Sequence, residues 1–459
     1  MSSPFDLRRH PGVTLGTITV ATAAACCLRL GSRSIWGDEA ISISYALRSL
    51  HGLAASVRAD PNMSLYYAAL WVWTRAFGEG VDAVRALSIV FAAATLPIVY
   101  ALGVRLFGRA AGLFAALALA TNAFFLVYAQ EARGYSLVTL MCALSMYFFL
   151  DALDRSRRWS LAGYVIVSTL AFYAHYFAVY VTLVQLVFLL AVARREALTR
   201  RWTAAYAAIG LLVAPMAYGA LALGENPISW IHRPGIHQLV GASRSIGGDG
   251  TAPLLVALVV LAVGLPFAFR TRPRRAALGL VAAWLLVPPV LSFLVSQVHP
   301  MFLARYLVVS LPALALLLGA AVTAVRPPSL GVASAAAVLI AASTSLYRWY
   351  QRPPLEDWKA ASAYLLSRAQ PDEGVVYQMS WAVPAISYYE LRSGDRPTLR
   401  FGEHDDAFPA RFRRGLWLVL YQDAGADGMR LRRSARARGM RRVAVRSFRG
   451  DFRLELFVR

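Results

Sequence analysis

Long uncharged apolar stretches recur along this 459-residue chain, separated by short polar turns. Residues 13–30, 84–107, 110–128, 136–150, 203–223, 251–269, 276–296, 303–325 and 329–347 each hold enough apolar residues to cross a bilayer, which takes roughly 20 in helical form. Residues 160–194 are too long for one crossing, and a split near His175 gives two. The pattern therefore predicts an α-helical polytopic membrane protein with about 11 transmembrane helices. Residues 32–80 form a long loop with helical periodicity over 40–50 and 65–77, where Trp71 and Trp73 suit an interfacial belt.

After residue 347 the pattern changes. Residues 357–369 read as an amphipathic helix, 381–391 as a second helix and 430–438 as a basic helix; 374–379, 416–421 and a pair within 442–458 read as strands. That divides the chain into a membrane domain, 1–347, and a small α/β domain, 348–459.

The composition agrees with a membrane protein: 58% of residues are hydrophobic and only 16% are charged. The net charge of +22 could suggest nucleic acid, but Lys359 is the only lysine and the arginines recur in alternate short turns. That is the positive-inside pattern, so the predicted partner is the lipid bilayer of the cell membrane and no nucleic acid. Arg8 and Arg9 place the N-terminus in the cytoplasm, Arg105, Arg109, Arg155, Arg157, Arg158, Arg194 and Arg195 mark inside turns, and the α/β domain falls outside the cell. Cys26, Cys27 and Cys142 all sit within apolar spans, so no disulfide framework or thiolate metal site is implied.

On this topology Asp38, Glu39, Glu131, Arg133, His175 and Arg305 collect at the outer membrane boundary, while the spans are nearly free of charge. Ionisable groups at that depth default to function. Carboxylates can take a proton, and arginines can hold a phosphate through paired N–H donors. Each residue also has a plainer reading. Asp38 would serve as a helix cap, Glu131 and Arg133 would pair with each other across a tight turn, His175 would sit in an aromatic belt between Tyr173 and Tyr176, and Arg305 would snorkel. Two carboxylates and a histidine are too few to define a metal site, which leaves divalent-metal dependence open. No phosphate loop, dinucleotide fingerprint or HExxH motif is present.

Several blocks, in order, resemble one family. Trp36-Gly37-Asp38-Glu39-Ala40, Leu65-Tyr66-Tyr67 and Ala83-Val84-Arg85-Ala86-Leu87-Ser88 look like the opening of the bacterial family 39 glycosyltransferases, relatives of protein O-mannosyltransferases and the lipid A aminoarabinose transferase. Tyr128-Ala129-Gln130-Glu131-Ala132-Arg133-Gly134-Tyr135, His175-Tyr176-Phe177, Ala304-Arg305-Tyr306-Leu307 and Glu356-Asp357-Trp358-Lys359-Ala360-Ala361 are similar to later blocks. The resemblance implies a GT-C-like fold and transfer of a sugar from a polyprenyl-phosphate-sugar donor to a cell-envelope acceptor on the outer face. By position it implies catalysis by Asp38 with Glu39 beside it. It implies substrate contacts from Tyr66, Tyr67, Glu131, Arg133, His175, Arg305 and Tyr306, with Arg305 near the donor phosphate. Pro61-Asn62-Met63-Ser64 departs from the double proline common before the aromatic pair.

The expectation is an inverting membrane glycosyltransferase with Asp38 as general base. The readings set against it are a lipid-linked-sugar flippase or transporter and a non-catalytic membrane protein that binds envelope glycan. A transporter should carry polar or broken helices near mid-membrane.

Overall fold

The computed structural model describes residues 11–155, 157–192, 199–222, 230–270, 272–370, 373–378, 382–393, 400–402, 414–421 and 425–459. Arg8, Arg9, Arg194 and Arg195, expected as cytoplasmic markers, lie outside the described residues, as do the expected strand end at Met379 and helix start at Trp381. The chain forms two compact units: residues 1–28, 49–78 and 82–351 make the first, and residues 29–48, 79–81 and 352–459 the second.

The first unit is a helical bundle. Among the described residues eight helices are long and apolar enough to cross a membrane, or nine if the bent pair Arg109–Ala120 and Ala123–Ala129 is one span. Two further segments read as crossings from the sequence fold into shorter helices, Arg158–Ala174 and Ala178–Val192. Within the segment Ala304–Ala324 an apolar window of 18 residues is 89% buried, which makes it the centre of the bundle. The N-terminal helix Pro11–Cys27 is buried only at Thr22 and Cys26, as a lipid-facing helix would be.

Polar contacts tie the helices where hydrophobic burial alone gives no direction. Ser145 and Ser168 share a 2.8 Å hydrogen bond, the Gln185 amide donates to Ser145 at 3.0 Å, and the Tyr164 hydroxyl donates to the Gln185 carbonyl oxygen at 3.1 Å. This network joins helices Tyr135–Arg155, Arg158–Ala174 and Ala178–Val192, and in apolar surroundings each such bond fixes register.

The expected span 110–128 is broken rather than continuous. It bends by 62° between Ala120 and Ala123. Asn122 accounts for the break: its side-chain oxygen accepts from the Phe125 N–H at 3.1 Å, and its amide donates to the Ile246 carbonyl at 3.0 Å. An asparagine that caps a new helix competes with continuation of the old one. The expected outer loop after residue 223 contains a helix, Ile236–Ile246, and the helix expected over 40–50 is instead two, Gly37–Ala46 and Leu50–Ala59.

The second unit carries five strands: β1 Glu373–Tyr377, β2 Arg400–Gly402, β3 Gly415–Tyr421, β4 Arg441–Phe448 and β5 Phe452–Val458. Their order is β2-β1-β3-β5-β4, with β1 parallel to β2 and β3, and β5 antiparallel to β3 and β4. Helix Gly425–Ala437 closes one core, with Leu431 and Ala435 against Leu416, Leu418, Leu420 and Phe457. Helix Trp358–Arg368 starts where the sequence predicts, with the Asp357 carboxylate accepting from the Ala360 N–H at 3.0 Å. Glu455 is fully buried, held by both nitrogens of an Arg432 fork at 3.0 Å, by Arg442 at 3.4 Å and by Arg453 at 3.1 Å.

Candidate functional site

In the first unit the polar residues of the sequence blocks gather at one end of the bundle. Helix Ser64–Phe77 buries Tyr66 and Tyr67 completely. The Tyr66 hydroxyl shares a 2.9 Å hydrogen bond with Ser88, near the start of helix Val81–Phe107, and Ser88 in turn donates to the Arg133 carbonyl at 3.4 Å. The Tyr67 hydroxyl donates to the Asp60 carboxylate at 3.1 Å and receives the Arg133 guanidinium at 3.5 Å. Arg133 and Glu131 share a tight turn closed by Arg133 N–H to the Glu131 carbonyl at 2.8 Å. Gly134 follows at a tight spot: a Cβ there would lie 3.1 Å from the Ala174 carbonyl and 3.3 Å from the Tyr66 side chain, so its neighbours would have to give way slightly. That glycine lets the Arg133 turn, the tyrosine helix and the end of helix Arg158–Ala174 meet.

His175 lies at this junction, 2% exposed, between helices Arg158–Ala174 and Ala178–Val192. Its ring centroid is 4.8 Å from Tyr306, 5.4 Å from Phe177 and 6.0 Å from Tyr135. Burial above all, followed by the charges of Arg133 and Arg305, holds its pKa down from the usual 6.5 to about 3. The ring is therefore neutral at physiological pH, with one nitrogen protonated. The Phe177 N–H donates to Nδ1 at 3.1 Å, which puts the ring proton on Nε2. Among the described residues Nε2 has no hydrogen-bond partner, although it is buried. A buried donor left unmatched costs about 1–3 kcal/mol, so such groups ask for an explanation.

Arg305 and Tyr306 occupy a 3₁₀ turn, Ala304–Ser310, that leads into the central helix. The Arg305 guanidinium carbon is 5.6 Å from the centre of the Trp230 ring and 5.7 Å from that of Tyr306. Tyr128 senses the charges of Glu131, Arg305 and Asp249, which places these groups in one electrostatic neighbourhood. The structure thus brings together Tyr66, Tyr67, Glu131, Arg133, His175, Arg305 and Tyr306. It adds Ser88 and Tyr135, which the sequence blocks contain without a role, and Asp60 and Trp230, which the sequence pattern does not single out. Asp60 ends helix Leu50–Ala59 and looks like an ordinary loop acid until its tyrosine partner is seen.

Asp38 and Glu39 belong to the second unit. They occupy the first turn of helix Gly37–Ala46, where a carboxylate complements exposed N–H groups and the helix dipole. Glu39 is fully buried and reaches back to accept from the Trp36 N–H at 3.4 Å, the far half of a capping box. Asp38 is half-buried. The turn is braced from the C-terminal part of the chain. Gly37 N–H donates to Glu356 at 2.8 Å, Ile35 N–H to the Tyr389 hydroxyl at 2.9 Å, and Lys359 N–H to Ser34 at 3.1 Å. Glu356, the first residue of the Glu356-Asp357-Trp358 block, also takes the Trp358 indole N–H at 2.6 Å and so fixes the backbone beside Asp38.

Among the described residues no group of three or more His, Cys, Asp or Glu side chains is arranged to hold a metal ion.

A family model described as dolichyl-phosphate-mannose-protein mannosyltransferase matches residues 61–218, a stretch that includes Tyr66, Tyr67, Glu131, Arg133 and His175. No curated protein matches the chain by sequence. Among solved structures it is similar to ArnT from Cupriavidus metallidurans bound to undecaprenyl phosphate, at 14% identity and a TM-score of 0.65, over 96% of this chain and 97% of that one. It is also similar to the mycobacterial arabinofuranosyltransferase AftD, at 14% identity and a TM-score of 0.56, over 100% of this chain and 42% of the other. The Archaeoglobus fulgidus oligosaccharyltransferase matches at 11% identity and a TM-score of 0.53, over 88% of this chain and 68% of the other. The chain is thus a multi-pass membrane protein of GT-C-like fold, with a mannosyltransferase family pattern across residues 61–218.

Proposed function

We propose that this protein is a membrane glycosyltransferase that moves a sugar from a polyprenyl-phosphate-linked donor to a cell-envelope acceptor on the outer face of the membrane. The N-terminus then lies in the cytoplasm and the C-terminal domain outside. The observation that carries this reading is the His175 Nε2–H, a buried donor without a partner among the described residues, set within the fields of Arg133 and Arg305. A neutral N–H and two guanidiniums together suit an oxyanion such as a phosphate. The family pattern over residues 61–218 and the undecaprenyl phosphate of the similar ArnT structure support a lipid-linked phosphate as that ligand.

In this reaction an acceptor hydroxyl or amine attacks the anomeric carbon while the bond from that carbon to the phosphate oxygen breaks. The Asp38 carboxylate takes the acceptor proton, and the polyprenyl phosphate leaves with the electron pair. Attack opposite the leaving group inverts the anomeric centre. Arg133, Arg305 and His175 meet the charge that grows on the departing phosphate, where fixed donors in a dry site act most strongly.

The test is donor binding and sugar transfer by the purified full chain in detergent. Arg305→Ala should weaken binding of a polyprenyl-phosphate sugar by about tenfold or more, the scale of a lost charge-assisted contact. Arg305→Lys should recover only part, because an ammonium lacks the planar fork. Equal donor affinity in all three proteins would overturn the phosphate assignment.

A further inference from the structure

Helices Val81–Phe107 and Tyr135–Arg155 both run away from the candidate site. Arg85, Ser88 and Tyr135 stand at their near ends, and Arg105 and Arg155 at their far ends. From Arg85 to Arg105 the helix rises about 30 Å, the thickness of the hydrocarbon core. At that far boundary lies an open cavity of about 600 Å³ lined by Tyr100, Ala101, Val104, Arg105, Arg109, Tyr147, Asp154 and Arg155.

The cations here are held differently. Arg105 is saturated: it donates to Asp151 at 3.0 Å, to Asp154 at 2.7 Å and to the Leu150 carbonyl at 3.0 Å. Asp151 also receives the Ser160 hydroxyl and lies 3.3 Å from Arg155. Arg105 thus locks the two helices together and sets the floor of the cavity. Arg109 is exposed and makes no hydrogen bond or ion pair among the described residues. Its backbone is nonetheless fixed. The turn at Gly108 (φ 103°) follows a crossing in which Gly103 and Gly112 approach so closely that a Cβ on Gly112 would lie 2.6 Å from the Tyr100 carbonyl. Three guanidiniums therefore share two carboxylates, and the excess positive charge falls on Arg109 and on the outer nitrogens of Arg155. Tyr100 and Tyr147 flank the cavity, and Ala101 and Val104 line it toward the apolar belt.

We infer that this cavity seats the phosphate headgroup of an anionic phospholipid, with Arg109 and Arg155 as its ligands and the acyl chains running down past Val104. A basic pocket between membrane helices at headgroup depth is matched to a lipid by both charge and apolar surface. Such a lipid would brace the hairpin that begins the bent span leading to Glu131 and Arg133.

The experiment uses the full chain, delipidated in detergent and titrated with phosphatidylglycerol or phosphatidylcholine, with lipid retention counted by native mass spectrometry. Wild type should retain phosphatidylglycerol at least tenfold more tightly than phosphatidylcholine, and the double variant Arg109→Gln, Arg155→Gln should lose most of that preference. Because Arg155 touches Asp151, Arg109→Glu serves as a second variant that leaves every hydrogen bond of the cluster in place; it should lose the preference too. Equal retention of both lipids by wild type, or an undiminished preference in Arg109→Glu, would overturn the inference. So would inorganic phosphate at millimolar concentration raising the melting temperature as much as phosphatidylglycerol, since the seat would then belong to a free anion.

Discussion

Glu455 and His175 are both buried polar side chains, and the protein treats them in opposite ways. The Glu455 carboxylate, fully enclosed in the α/β domain, receives three arginines. The His175 Nε2–H, enclosed in the bundle, meets no acceptor among the described residues. A carboxylate in low dielectric must be neutralised or it shifts out of its charged form, so saturation is what stability demands. An unmatched donor can be completed by something outside the chain. Saturation marks a structural group here, and in the proposed reading the gap marks a binding group. Asp38 and Glu39 differ in burial on adjacent residues: Glu39 is buried and bonded to the Trp36 amide, whereas Asp38 is half-buried.

The sharpest separation should come from that adjacent pair. Asp38→Asn keeps size and capping capacity but removes the basic oxygen, and sugar transfer should fall by on the order of 10²–10⁴. Glu39→Gln should instead lower thermal stability, by about 1 kcal/mol for a weakened cap, and leave most transfer intact. Near-normal transfer by Asp38→Asn, measured with a purified polyprenyl-phosphate donor, would move the base elsewhere.

Next in size is Glu455→Gln. Removing the negative partner strands three arginines around a buried amide, and breaking such a buried pair costs about 3–5 kcal/mol. Arg442 and Arg453 are partly exposed and can turn to water, which puts the expected loss at the lower end. Limited proteolysis of the full chain should then cut within residues 425–459 while donor binding persists. A protease-resistant variant would show that Glu455 is not the keystone of this domain.

His175→Phe should behave in the reverse manner. It deletes an unmatched donor, a gain, and takes the acceptor from the Phe177 N–H, a loss, so stability should change by less than about 1 kcal/mol. Donor affinity should fall by about tenfold. A large drop in melting temperature with unchanged donor affinity would make His175 a core residue only.

A separate effect is in pH. Because the folded pKa of His175 is about 3 and its ordinary value is 6.5, the unfolded chain binds the extra proton between those limits. The stability attached to the neutral ring is therefore complete above pH 6.5 and is lost as pH falls toward 3. Thermal unfolding across that window should show a shallower decline for His175→Phe than for wild type. Parallel curves would mean that the ring is protonated in the folded state as well.

Much of this architecture is legible in the sequence because it rests on local signals. Asp357 begins its helix as an Asx cap should, β3 follows from an uninterrupted apolar run, and the apolar spans declare themselves by length. The gathering of Glu131, Arg133, His175 and Arg305 is also legible, since each interrupts or ends an apolar stretch. What escapes is set by partners far away in sequence. Asn122 breaks a helix partly through Ile246, Glu356 supports Gly37 from 319 residues on, and Asp60 acquires meaning from Tyr67 and the arginine beyond it. Strand β2, three residues long, has too little pattern to be seen and exists because β1 offers an edge.

The bend at Thr121–Asn122 sets a limit on how this protein can change. Helix Ala123–Ala129 is seven residues long, pinned by Asn122 at one end and delivering Glu131 and Arg133 at the other. Each residue added to or removed from a helix turns everything beyond it by about 100°. A single insertion in those seven positions would swing the arginine away from Tyr67 and the glycine away from its fit against Ala174. The short helix is in effect a ruler, and homologous chains that share this site should hold its length fixed while the loops on either side of the bundle drift freely.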